Sequence, residues 1–488
     1  MEAFSDMKTP AFVLDADVMR GELRRMAAAD RPRTTGDRKT KSYYAQASRL
    51  LWIDRAGVDD QADSLLVWLR QVEAMGMAAD SFYVSEIQRD ISVFRKLDFK
   101  ERKSASLVAA RLEYLLTKAC LRYAYGQRFG FVNPQYVFNH LDVEKEDESH
   151  RIIRYRGLFD HAMDLPPANY DSLLYAKITG KTLAAYLHEI QPRNKFYYQL
   201  KDSLGKTVDK DERLRIMANM ERSRWRMHQP IPETGKHIVV NIPAFHLYAY
   251  GGDTLLHMRV VCGARDTKSP QLSSAVEWME VNPQWVIPKS ILEKDVVHHI
   301  GDSAYFARNK YKIFERTTNK PVTVADFSHS MLMSGNYRVA QESGSDNSLG
   351  RIVFRFKNKF QVFLHYTSNP GAFKRERRAF SHGCVRVEHP FDLAHFVLDN
   401  PDEWLLDRIR ISMDLAPKTQ RGINYLRAHR SDKEHKLIGY VPVKPVVPLH
   451  IIYYTLWPDE HNVLRTWPDV YGYDQVLMEH LRPFLHEK

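Results

Sequence analysis

The spacing of apolar positions divides the chain into a helical first half and a strand-rich second half. In QADSLLVWLRQVEAMGM, Leu65, Leu66, Leu69 and Val72 share one face behind Asp59 and Asp60, and Gly76 supplies a stop. Asp80-Ser81 is expected to cap the next helix. In ERKSASLVAARLEYLLTKACLRYAYG, Leu112, Leu115, Leu116, Ala119 and Tyr123 line one side, and Gly126 marks the predicted end. Tyr123 and Tyr125 are read as core, because aromatics at helical spacing pack inward more often than they line a sugar groove. Residues 127–235 continue mostly helical, and ERLRIMANMERSRWRM (212–227) predicts a helix that hands over to the next domain. Residues 1–45 are polar, with RPRTTGDRKTKS at 31–42, and are expected to form a polar arm.

At Lys236 the period shortens. KHIVVNIPAFHLYAYGGDTLLHMRVVCG predicts strands turned at Gly251-Gly252-Asp253, and VEWMEVNPQWVIP continues them within limits set by Pro283 and Pro288. Residues 289–337 are irregular and long enough for a lid, with His298 and His299 expected at the surface. Trp278 and Trp285 are expected to pack on strand faces. HPFDLAHFVLDNPDEWLLDRIRISM (389–413) predicts a helix with Pro390 near its start, and 442–474 is Pro-rich, then strand-like.

The candidate chemistry lies between Gln361 and Pro390. FQVFLH (360–365) reads as a buried strand ending in His365, and Val385 and Val387 flank Arg386 in a second extended segment. Two such strands side by side bring His365 close to Cys384. A free thiol ionises near pH 8.5, so a nucleophilic cysteine needs a base or a positive neighbour. His365 supplies the first; Arg386, Arg377 and Arg378 supply the second. Gly383 lets the backbone approach a substrate closely, and amides around His382-Gly383-Cys384 have the makings of an oxyanion hole. The alternatives are a small buried cysteine beside a structural histidine, or zinc, for which the chain shows neither C-x-x-C nor H-E-x-x-H.

With 488 residues the chain exceeds one ordinary core and predicts two or three domains. A net charge of +11 favours anionic partners, and no nucleic-acid recognition motif accompanies it. Cys120, Cys262 and Cys384 form no disulfide framework, and the first two are expected in the core. The chain holds no apolar run of the ~18 residues a membrane helix needs. Its first residues show no basic stretch followed by an apolar one, which by itself reads as cytosolic.

His365 followed by Ser381-His382-Gly383-Cys384 and Val385-Arg386 resembles the signature of L,D-transpeptidases with a YkuD catalytic domain. VNIPAFHLYAY (240–250), SSAVEWMEVNPQWVIPKSI (273–291), NSLGRIVFRF (347–356) and RAFSHGCVRVEHP (378–390) are similar, in order, to the YcbB-like subgroup. The resemblance implies an α+β chain: a helical scaffold domain, then a mostly β sandwich with an inserted capping subdomain. The expected division is a polar arm at 1–45, scaffold at 46–235, catalytic domain at 236–415 with its cap at about 289–337, and a C-terminal element at 416–488 packing on the catalytic domain. The peptidoglycan-binding module that many relatives insert before the N-x-E-R-x-R-W element is not recognisable here.

The implied activity is formation of 3→3 cross-links in peptidoglycan through a cysteine thioester, with no metal or cofactor. Cys384 is the implied nucleophile and His365 its base, with Gly383 and His382 in the catalytic turn. Arg386, Ser381, Tyr366 and Arg378 are the expected substrate-binding residues. Tyr366 departs from the subgroup, where Asp often follows the histidine, so the group orienting His365 is open. The implied partners are a tetrapeptide donor and a diaminopimelate-type acceptor stem, without nucleic acid, for a periplasmic monomer that works beside other wall-synthesis proteins. Hydrolysis by an L,D-carboxypeptidase, attachment of proteins to the wall and a non-catalytic wall-binding scaffold are the alternatives. A papain-like protease would place its cysteine ahead of its histidine.

Overall fold

The computed structural model describes residues 14–46, 49–54, 56–99, 105–252, 254–432 and 434–485, so Asp253 of the expected hairpin turn lies outside the described residues. The chain divides into two compact units. The first comprises residues 1–137, 162–230 and 472–488, the second 138–161 and 231–471.

The first unit is helical and is built on the helix Ala105–Phe129, which is buried along most of its length. The helices Ala16–Ala29, Thr35–Ala45 and Val84–Lys96 pack against it. The described part of the expected polar arm is therefore corrected to two core helices. Met19, Leu23 and Ala27 are buried at helical spacing, and the buried Asp37 takes the Arg122 guanidinium at 2.6 and 2.9 Å. A charged pair that neutralises itself inside the bundle looks like surface in the sequence.

Gly76 ends its segment at φ +79° as predicted, but Gly126 does not stop the long helix. A Cβ there would lie 2.1 Å from the Phe131 ring, so its role is close packing, and the turn comes at Gly130 with φ +90°. Nor does Asp80-Ser81 cap a helix: Ala79–Phe82 is a single 3-10 turn, and Val84–Lys96 starts at Tyr83 without a side-chain cap. The C-terminal helix Tyr473–Leu481 belongs to this unit, where Asp474 accepts from Arg222 at 2.5 Å. Only the preceding part of the expected C-terminal element joins the catalytic unit.

In the second unit eight strands form a ring: β1 His237–Asn241, β2 His246–Gly251, β3 Thr254–Gly263, β4 Gln271–Val281, β5 Ile352–Phe356, β6 Leu364–His365, β7 Val385–Val387 and β8 Tyr440–Ile452. Their order is β5-β6-β7-β3-β2-β1-β8-β4, and β5 pairs back onto β4 through Ile352 and Val281. The expected α+β chain, helical first and mostly β after, is present, and its sheet closes into a barrel that leaves no free edge in the ring. β8 carries Pro442, Pro445 and Pro448, and its register against β4 shifts between Pro442 and Val447 where those prolines remove ladder donors.

Two additions flank the barrel. An antiparallel hairpin, Asp142–Glu146 with Ile152–Arg156, and the short strand Phe159–Asp160 belong to this unit, although the helical reading of 127–235 did not anticipate them. Asn139 anchors their return, accepting from the Leu158 and Phe159 amides and donating to the Phe159 carbonyl. Between β4 and β5 the cap spans four short strands, from Trp285–Val286 to Tyr337–Gln341, and three short helices. It has its own core of Val296, Phe306, Ile313 and Val339, and so is wider than 289–337. The helix predicted over 389–413 is two, Pro390–Val397 and Glu403–Ser412, separated where Pro401 follows Asn400 at φ +43°.

Candidate active site

β6 and β7 run parallel, with Leu364 opposite Val385 and His365 opposite Arg386. The Val385 amide donates to the Phe363 carbonyl at 3.0 Å, so Cys384, one residue earlier, lies beside Phe363. His365 is two residues beyond Phe363 and therefore on the same face of its strand. The register thus sets the strand ending in His365 against the strand that follows Cys384, and β7 is held on its other side by β3 through Arg386 and Val261.

The turn carrying the thiol is braced from within. Ser381 Oγ donates to the Cys384 carbonyl at 2.6 Å and accepts the Gly383 amide at 3.2 Å. Ser381 is buried and shapes the turn, which corrects its expected place on the substrate. The Gly383 amide is likewise occupied, against the expectation that it faces an oxyanion. Gly383 sits at φ +110°, where a side chain would strain the backbone.

A second set of hydrogen bonds fixes the turn to the barrel. Ser269 Oγ donates to the Gly383 carbonyl at 2.8 Å and accepts the Gly263 amide at 2.9 Å. Tyr471 Oη accepts the Ser269 amide at 3.1 Å and donates to the Gly263 carbonyl at 2.8 Å. Its own amide donates to Tyr453 Oη at 2.8 Å, and that hydroxyl donates to Asp469 at 2.6 Å. Sequence reasoning missed Ser269 and Tyr471, because neither lies near the motif nor repeats at a recognisable spacing.

His365 is buried, and burial followed by the nearby Arg386 charge lowers its pKa to about 3. The backbone of Tyr366 and Leu349 pulls the other way, though Nδ1 makes no hydrogen bond of ordinary geometry. Burial pushes the Cys384 thiol up, while the Phe363 backbone, Arg355 and Arg386 oppose the rise. Burial thus disfavours the charged form of both the thiol and the imidazole. Arg386 is half-buried and faces Cys384, and its Nε makes no hydrogen bond. Arg355 is held by Glu280 at 2.9 and 3.0 Å and lies 4.0 Å over the Phe363 ring.

The remaining expected residues divide. Arg378 is buried and donates to the carbonyls of Val260, Arg375 and Phe245 at 2.8–3.1 Å, so its guanidinium braces the barrel and is not offered to substrate. Tyr366 packs against Val261, Ala372 and Phe373. His382 is exposed and lines a cleft of about 340 Å³ that reaches Gly383. Glu144 and Arg156 of the hairpin, Lys268, and Asp295 of the cap form its walls.

Residues 235–411 match YkuD, the L,D-transpeptidase catalytic domain, and residues 38–204 match the Scaffold domain. A Haemophilus influenzae protein provisionally named an L,D-transpeptidase is 27% identical over 302 residues, covering 62% of this chain and 57% of that relative. Two segments of the chain are thus similar, in order, to a Scaffold domain and to a YkuD L,D-transpeptidase catalytic domain.

Proposed function

We propose that this protein forms 3→3 cross-links between peptidoglycan stem peptides through a Cys384 thioester. The observation that supports the reading is the parallel pairing of β6 with β7, in which His365 lies opposite Arg386, two residues after Cys384. His365 takes the thiol proton, and Cys384 Sγ attacks the carbonyl of the donor's third stem residue. The C–S bond forms, the C–N bond to terminal D-alanine breaks, and the protonated imidazole returns its proton to the leaving amine. The side-chain amine of a second stem then attacks the thioester, loses a proton to His365 and expels the thiolate.

Because the Gly383 amide is used by Ser381, the Cys384 amide is the donor we assign to the oxyanion, worth about 10²–10³ in rate. Arg386 meets a stem carboxylate, since its fork suits a planar anion and it lies in the thiol's own surroundings. His382 shapes the entrance from the cleft. The polymer is extracytoplasmic, so the site of action is the periplasm. No helix among the described residues is long and apolar enough to cross a membrane.

Intact-mass measurement of wild type and Cys384→Ala with a disaccharide-tetrapeptide tests the reading. A thioester adduct lacking D-alanine, and a dimeric product, are expected with wild type only; a carbapenem should leave its own adduct on Cys384. Tripeptide product without dimer would replace cross-linking by carboxypeptidase action. Absence of any adduct would overturn the enzymatic reading.

A further inference from the structure

The helical unit contains a groove of about 460 Å³ that the chemistry at Cys384 does not use. Two flat rings stand at it: Trp68, half-buried on the flank of Gln61–Leu69, and Tyr198, 49% exposed on Lys195–Lys206. Leu65, Leu66 and Leu69 already fill the buried face of the first helix, so packing does not account for Trp68. His188 meets its ring edge-on at 6.3 Å.

The groove floor is built from fixed polar groups. Tyr123 is buried and donates to Gln191 Oε1 at 3.3 Å, while Gln191 Nε2 donates to the Leu187 carbonyl at 2.6 Å. Tyr197 is buried, and its hydroxyl accepts from Arg224 at 3.2 Å. At the rim Arg193 and Lys201 have no ion-pair partner among the described residues, and Glu189 is the one carboxylate lining the groove there. A concave site with aromatic faces, oriented amide and phenol groups and few charges suits a ligand with alternating apolar and hydroxyl-bearing faces. Unpaired rim cations suit one that also carries carboxylates.

We infer that this groove binds the N-acetylated amino-sugar strand of the wall polymer, with Trp68 and Tyr198 stacking on sugar faces and Arg193 and Lys201 meeting stem carboxylates. The proposal rests on the wall-acting reading above and gives the helical unit a ligand of its own.

The probe is the tetramer of N-acetylglucosamine, titrated into the full chain by ligand-observed NMR. Saturable binding that Trp68→Ala and Tyr198→Ala each weaken at least tenfold is expected, with Cys384 adduct formation from a free stem tetrapeptide unchanged. Arg193→Ala should weaken a disaccharide-tetrapeptide but not the neutral tetramer. No saturable binding, or binding indifferent to both aromatic variants, would overturn the groove. So would displacement of the tetramer by the free tetrapeptide at concentrations as low as the saccharide itself requires, which would make it a peptide site. Adduct formation without saccharide binding would sink the groove alone. Saccharide binding without adduct would sink the enzymatic reading and leave the groove.

Discussion

The thiol and imidazole at this site share a water-poor environment, and each is pushed toward its neutral form. His365, with a pKa of about 3, is an unprotonated base through the whole working range, so it places no lower limit on the pH profile. The limit comes from the thiol, whose pKa burial raises above the ordinary thiol range. Alkylation of Cys384 by iodoacetamide should therefore keep rising through pH 9. A plateau beginning near pH 5 would show a resting thiolate–imidazolium pair and contradict this electrostatics. Arg386 is one of two cations that resist the rise. Arg386→Gln should slow alkylation at neutral pH several-fold, because a cation that favours the thiolate is lost, and Arg386→Lys should restore most of the rate.

Elements far apart in the sequence converge on the turn that carries Cys384. Ser381 ties the turn to itself, whereas Ser269 and Tyr471 tie it to β3 and to the segment after β8. Tyr471→Phe keeps the ring and deletes two hydrogen bonds. Acylation should slow about tenfold with the donor's KM nearly unchanged, because the turn loses its fixed position while the binding cleft persists. Ser269→Ala should do the same, and the double variant should cost little more than either single one, since both act through one network. Loss of kcat and KM in parallel, or additive effects, would reduce the pair to general stability.

The strands that carry His365 and follow Cys384 were legible because an apolar run and a Val-Arg-Val segment announce them locally. The sequence did not reveal Tyr471, whose value depends on a carbonyl and an amide that folding brings from two hundred residues away. Arg378 misled for a related reason: five charges in KRERR look solvated, yet this one finds three carbonyls inside the barrel. The hairpin 142–156 escaped because its residues are mostly exposed and lack the alternation that marks a half-buried strand. The helix Ala16–Ala29 was legible in Met19, Leu23 and Ala27, but the surrounding charge obscured it.

Taken whole, the molecule holds two units whose buried ionisable groups respond to acid in opposite directions. In the helical unit Glu113 is buried, accepts from Leu51, Trp52 and Tyr44, and is raised to about 7 from 4.5. Its folded form binds more protons than its unfolded form between those values, so stability falls as pH rises through the window and returns on acidification. From pH 7 to pH 5 this unit should gain about 2 kcal/mol.

Among the described residues the barrel unit buries four histidines, His161, His237, His365 and His450, each with its pKa lowered first by burial. His161 and His450 flank Ser273 Oγ at 2.7 and 3.1 Å, with pKa values of about 3 and about 4, and His365 stands at about 3. Each is depressed below 6.5, so the unfolded chain binds more protons and stability drains as pH falls from 6.5 toward 3. At pH 5 the loss is about 2 kcal/mol for one such histidine. Cys120 and Cys262, both fully buried, report on the two units separately. Thermal unfolding followed by methanethiosulfonate labelling and mass mapping should show the Cys120 midpoint rising and the Cys262 midpoint falling between pH 7 and pH 5. Glu113→Gln should remove the first shift and leave the second. Midpoints that move together, in either direction, would show that these buried groups do not set the acid response of their units.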